Sequence, residues 1–149
     1  MRICTKESVL HQQSKEITDK NVASMCKDLL IDEFNSHNGR VQGIAAIQIK
    51  LHYAAILVRY KKGREPQVLF NPKLIKSYGS WKKLEACLSE PNKYYMVSRP
   101  LLAKVSYMDS DLVEHTKWLT YKKARIFMHE LDHVNGLMLK DKNVMGVKL

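Results

Sequence analysis

The feature that most restricts what this chain can fold into is a charged pentapeptide set in an apolar helix. Positions 120–136 read as one helix. Thr120 can act as N-cap, the run Lys122 to Met128 is a good helix start, and Asn135-Gly136 supplies a stop. Ala124, Phe127, Met128, Leu131 and Val134 recur at the i, i+3, i+4, i+7 positions of a buried face. The same helix carries His129-Glu130-Leu131-Asp132-His133. Two imidazoles four residues apart lie on one face and can reach one cation, with Glu130 able to meet a metal-bound water. Two histidines and a glutamate in a core-packed helix are costly without a partner, and a metal supplies that partner. Such a site needs a third protein ligand and keeps one position open. Asp132 is wrongly spaced for that role. The best candidate lies upstream, in Glu85-Ala86-Cys87-Leu88-Ser89.

The rest of the chain bounds the class. Its 149 residues suit one domain, 1–149, with one sizeable core. The longest apolar runs, Tyr53 to Val58 and Gly43 to Ile47, are too short to span a bilayer, so no membrane partner is expected. The start, Met1 to Glu7, lacks the apolar stretch of a secretory signal, and the expected location is cytoplasmic. Three widely spaced cysteines form no disulfide framework; Cys4 and Cys26 read as buried, inert thiols. The net charge of +10 allows attraction to polyanions such as RNA or the ribosome surface. The lysines are scattered, however, and no RNA-binding signature is present, so specific nucleic-acid recognition is not expected.

Along the chain, Asn21 to His37 reads as a helix with Val22, Met25, Cys26, Leu29, Leu30 and Phe34 at helical spacing. Val41 to Gln48 reads as a loop turning into a strand or irregular segment. Strands are expected at Tyr53–Val58, at Val68–Phe70 (ended by Asn71-Pro72), at Tyr94–Ser98, at Leu101–Asp109 and at Leu112–Tyr121. Helix, many short strands, then helix gives an α+β class: short, mostly antiparallel strands packed around a central C-terminal helix that carries the metal motif.

Three segments stand in a fixed order: Val41-Gln42-Gly43-Ile44-Ala45-Ala46-Ile47-Gln48, Glu85-Ala86-Cys87-Leu88-Ser89 and His129-Glu130-Leu131-Asp132-His133. Together they resemble the three motifs of the peptide deformylases, G-φ-G-φ-A-A-x-Q, E-G-C-φ-S and H-E-x-x-H, where φ is apolar. The likeness extends from Arg2-Ile3 through Asn71-Pro72 and Arg99 to about Asp141. The resemblance implies a metal-dependent hydrolase that removes the N-formyl group from the formyl-methionine of newly made polypeptides. Cys87, His129 and His133 would hold the metal, and a metal-bound water would attack the formyl carbon. Glu130 would take the water proton and later pass it to the departing amine. The Gln48 side chain and the Leu88 backbone N–H would stabilise the oxyanion. Gly43, Ile44 and Ala86 would bind the peptide, and Glu85 and Arg99 would form a supporting ion pair. The implied cofactor is one divalent transition metal: Fe²⁺ in the cell, with Zn²⁺, Ni²⁺ or Co²⁺ as alternatives in purified protein. The implied partners are N-formylmethionyl peptides, with ribosome contact compatible.

The chain departs from the family pattern at Val41 and Ala86, where glycine is usual, at Gln42, at Ile47, where proline is common, and at Met128, where glutamine is usual. These positions bear on groove shape more than on ligation; Ala86 adds a methyl group and disfavours positive φ. They motivate a second reading, a deformylase-like metal-binding protein that acts by binding with little turnover. A generic zinc peptidase is a weak rival, because no His or Glu follows His133 to complete its site.

Overall fold

Ala55-Ile56-Leu57-Val58 is apolar at every position because the strand it forms is covered on both faces. Side chains alternate along a strand. Ile56 and Val58 therefore enter one core cluster with Phe127 and Leu131, while Ala55 and Leu57 enter a second with Cys26, Leu30 and Phe34. A continuous apolar run thus reports a strand held between two helices. The computed structural model describes residues 3–148, and of residues 143–148 the backbone course only. Arg2, at the start of the resemblance, and the chain termini Met1 and Leu149 lie outside the described residues.

The elements run α1 (Glu7–Leu10), α2 (Lys20–Ser36), β1 (Gly43–Ala45), β2 (Ala55–Val58), β3 (Gln67–Tyr78), β4 (Trp81–Cys87), β5 (Glu90–Arg99), β6 (Leu102–Met108), β7 (Glu114–Thr120), α3 (Tyr121–Val134) and β8 (Asn143–Lys148), with short 3-10 helices at Ala46–Ile49 and Leu139–Lys142. The five-stranded sheet has the order β1-β2-β3-β6-β7 and the three-stranded sheet the order β4-β5-β8, with antiparallel pairing throughout. This is the α+β arrangement expected, with α3 between the sheets and packed against strands of both.

Both long helices begin and end near their expected bounds. At α2 the Asp19 carboxylate accepts from the Asn21 N–H at 2.7 Å, capping the N-terminus. Thr120 occupies the N-cap of α3, but its side chain makes no capping hydrogen bond. The α3 stop is as expected, with Gly136 at φ 75°. Met25, placed by periodicity on the buried face of α2, is exposed instead, because that face narrows around Cys26 and Leu30.

The largest difference lies at Asn71-Pro72. Rather than ending there, β3 continues to Tyr78. Its pairing with β6 slips between Phe70 and Lys73, a bulge that accommodates a proline unable to donate to the ladder. Asn71 adopts φ 49° and exchanges two side-chain hydrogen bonds, both 2.8 Å, with the backbone of Ile17. The bulge divides a buried first half of the strand from an exposed second half. The backbone after Leu139–Lys142 adds β8 to the second sheet, an element that no periodicity in the sequence announced.

Candidate metal centre and cleft

The two sheets each present an edge strand next to α3, paired on one side only. β1 is an edge of the larger sheet and β4 an edge of the smaller one. Between them lies a cleft of about 510 Å³, with residues of α3 along its floor and Gly43, Gln48, Ala86 and Leu88 among its walls.

Cys87 ends β4, and alternation along that strand points Glu85 and Cys87 inward, while Ala86 stays exposed at the rim. His129 and His133 lie one turn apart on α3 with ring centroids 5.3 Å apart. The three donor atoms of Cys87, His129 and His133 all fall within 4.8 Å of one another, and Cys87 Sγ lies 3.3 Å from His133 Nε2. His129 Nδ1 is engaged by Glu85 Oε1 at 3.0 Å, which leaves Nε2 for the site and fixes the ring, as carboxylates behind metal-binding histidines do. One thiolate and two imidazoles form a donor set for a transition metal. The electrostatics fit as well. Burial opposes charge on His129, but Glu130, Cys87 and Glu85 outweigh it and hold its pKa well above the ordinary value, so the pocket favours a cation at this point. Burial, reinforced by His129 and Arg99, holds His133 well below its ordinary value, in the neutral form that ligates metals.

Glu130 is buried beside these three donors, and its Oε1 has no hydrogen-bond partner among the described residues. Burial pushes its carboxyl up to about 7, against the pull of His129 and Arg99. Its carboxylate rests against Gly43, where a Cβ would stand 2.5 Å from Oε2. Gln48 sits in the 3-10 helix that follows β1. Its Oε1 accepts from the Ala45 N–H at 2.9 Å, which turns Nε2 toward Ser89 Oγ at 3.1 Å and Cys87 Sγ at 3.5 Å. Leu88 follows Cys87 directly and also lines the cleft. The Ile44 side chain, by contrast, is wholly buried under α2, so only its main chain can face a ligand.

The Glu85–Arg99 pair expected from the sequence is present, with bonds of 2.9 and 3.1 Å, but it is half of a larger network. Arg99 also binds Asp132, and Arg125 binds Glu85 and donates to the Trp81 carbonyl at 2.7 Å while its guanidinium lies 4.4 Å from the Trp81 ring centroid. Burial opposes ionisation of Glu85, yet bonds from His129 and Arg99 hold its carboxyl well below the usual range. Arg125 and Ser89 were not singled out in the sequence. Arg125 stands four residues before His129, on the same helix face, and that spacing was the available signal.

Two of the departures have local explanations. Val41 is buried in the cluster beneath α2, and Ala86 does not adopt positive φ, so neither position requires glycine's conformational range here.

Residues 2–146 match the family described as Polypeptide deformylase. The chain belongs to the peptide deformylase family. A peptide deformylase of Synechocystis sp. is 30% identical over 142 residues, covering 91% of this chain and 74% of the relative. One of Finegoldia magna is 30% identical over 138 residues, covering 91% and 84%. The solved Plasmodium falciparum peptide deformylase in complex with an inhibitor superposes with a TM-score of 0.85 at 26% identity, covering 96% of this chain and 88% of that one. Deformylase activity, the removal of an N-formyl group from a peptide with release of formate, follows from family membership, as does dependence on a metal. Among the described residues no helix is long and apolar enough to cross a membrane.

Proposed function

We propose that Cys87, His129 and His133 hold one divalent transition metal and that Glu130, Gln48 and Leu88 carry out deformylation around it. The convergence of those three donors within 4.8 Å, at the floor of a cleft that also holds Glu130, carries this reading. When bound, the metal supplies Lewis acidity that makes hydroxide available near neutral pH. Glu130 accepts the proton of the attacking water and later delivers it to the departing amine; a carboxyl poised near 7 by burial suits both directions of transfer. Gln48 Nε2–H and the Leu88 backbone N–H donate to the formyl oxygen as it gains charge. Gln48 is suited to this because Ala45 holds its carbonyl away from the cleft.

The formylated peptide lies extended between the edges of β1 and β4, where unpaired backbone groups near Gly43, Ile44 and Ala86 can bond to it. Glu85 and Arg99, with Arg125 and Asp132, position His129 without touching substrate. The donor set disfavours Mg²⁺ and suits Fe²⁺, Zn²⁺, Ni²⁺ or Co²⁺; Fe²⁺ is the metal assigned in the cell. The substrate is the formyl-methionyl end of a new polypeptide, the location cytoplasmic, and ribosome contact weak and charge-driven, without specific nucleic-acid recognition. Because the site draws on segments around 43–48, 85–89 and 129–133, residues 1–149 act as one deformylase-like domain.

The test is formate release from a formyl-methionyl tripeptide by protein reconstituted anaerobically with Fe²⁺, beside a Glu130→Gln control. Turnover that falls about 10²–10⁴-fold in the control, with metal retained, supports the assignment. An undiminished rate at equal metal content removes Glu130 from the chemistry.

A further inference from the structure

The charges exposed along the cleft have one sign. Two carboxylates line it, Glu85 and Glu130, and both are buried. Glu85 is already bound by Arg99, Arg125 and His129. The exposed ionic groups on the walls are Arg40, Lys83 and Lys122. None of the three pairs with a carboxylate among the described residues, whereas elsewhere Lys140 pairs with Glu7 and His115 with Asp109. Lys83 is held at the rim by the Trp81 ring, its ammonium 5.9 Å from the centroid.

Their positions follow from the elements that carry them. Lys83 precedes Cys87 by four residues on β4, about 13 Å along a strand. Lys122 precedes His129 by seven residues on α3, about 10.5 Å along a helix. The bond between Arg125 and Glu85 brings these two stretches together, so Lys83 and Lys122 flank the same end of the cleft. Arg40 stands three residues before Gly43, on the opposite wall. An extended peptide advances about 3.3 Å per residue, so its first four residues span the distance from the metal ligands to these cations.

We propose that this cleft selects formylated peptides that carry carboxylate side chains within their first few residues, with Lys83, Lys122 and Arg40 as the specificity-determining groups. The proposal rests on the deformylase reading of the same cleft. A concave wall of unpaired cations concentrates field toward an incoming anion and penalises a cationic peptide by the same interaction. Exposed charge pairs are individually weak, so selectivity comes from the three acting together and is sensitive to salt.

The experiment compares kcat/KM for three C-terminally amidated peptides, formyl-Met-Glu-Glu-Ser, formyl-Met-Gln-Gln-Ser and formyl-Met-Lys-Lys-Ser, with the metal-loaded full chain. Amidation removes the terminal carboxylate as a second source of negative charge. At low salt the Glu peptide is expected to exceed the Gln peptide by about tenfold, mainly through KM, with the Lys peptide lowest. The spread should collapse at about 0.5 M salt. Lys83→Glu/Lys122→Glu should reverse the order of the Glu and Lys peptides. Each comparison is a ratio within one protein, so partial misfolding of the variant cannot produce the reversal. Equal turnover of all three peptides overturns the proposal and leaves the deformylase reading standing. So does a preference for Glu that survives both salt and charge reversal. A gain seen only with free C-terminal acids overturns the assignment to side chains. Formate release from none of the peptides sinks the deformylase reading, and this proposal with it.

Discussion

Gly43 is where the backbone meets Glu130, the proposed proton-transfer group, and replacing it with alanine tests both. Gly43 lies in β1 opposite Val58, and its backbone does not have the positive φ that would exclude alanine. The obstacle is steric. A Cβ there would stand 2.5 Å from Glu130 Oε2 and 2.9 Å from both Cδ and Cγ. Unbonded heavy atoms settle at about 3.5–4.0 Å, so the carboxylate must retreat by roughly 1 Å. Glu130 is only 4% exposed, which leaves it little room to do so without leaving the cleft floor. A misplacement of that size costs about 10²-fold in rate, or about 2.7 kcal/mol of barrier. Gly43→Ala should therefore lower kcat for formate release about a hundredfold, with metal content retained. The double variant with Glu130→Gln should be no slower than Glu130→Gln alone, because both changes disable one group. A Gly43→Ala protein within about twofold of the parent would refute the steric argument. A double variant slower by a further hundredfold would show that Gly43 acts on the peptide rather than through Glu130.

Two other perturbations read different parts of the molecule. Cys87→Ala removes one of three donors and should reduce metal stoichiometry sharply by atomic absorption; unchanged stoichiometry would remove Cys87 from the ligand set. Burial pushes the Cys26 thiol up to about 11 from 9.0, and burial likewise raises the Tyr60 phenol. The folded chain therefore keeps protons that the unfolded chain releases, and stability present below pH 9 is lost as pH rises toward 11. Cys26 alone accounts for about 1 kcal/mol by pH 10. Urea midpoints at pH 8 and pH 10 should show this loss, and Cys26→Ala should flatten it; an equally steep loss in the variant would trace the effect to other groups.

The three candidate metal donors were legible because chemistry imposes spacing. His129 and His133 need one helical turn between them, and the small-residue segment ending in Gln48 and the Cys87 segment came in a recognisable order. The two long helices were legible for a similar reason, since a face that must be buried repeats with the helical period. What escaped was settled by partners distant in sequence. Pro72 carries the ordinary signal for the end of a strand, and only the bulge against β6 lets the strand continue. Arg125 reads as a solvated residue on a basic helix start until Glu85, forty residues earlier, is placed beside it. Met25 satisfies the periodicity of α2 but lies beyond the width of what covers it. Ile44 belongs to a motif associated with peptide binding, yet its side chain serves the core.

The buried charge network has a further consequence for how the molecule avoids error. Glu85 and Cys87 face inward together because strand side chains alternate, so slipping β4 by one residue turns both outward. The candidate metal site would lose its thiolate, Arg125 would lose its carboxylate, and Arg99 would keep only Asp132 of its two. Two guanidiniums balance two carboxylates only in the correct register. Breaking a buried pair by removing one partner costs about 3–5 kcal/mol, a large fraction of what a domain of this size has to spare. The network thus acts as a checksum on strand alignment: a misaligned β4 is penalised by its charges whether or not a metal is at hand to report the fault.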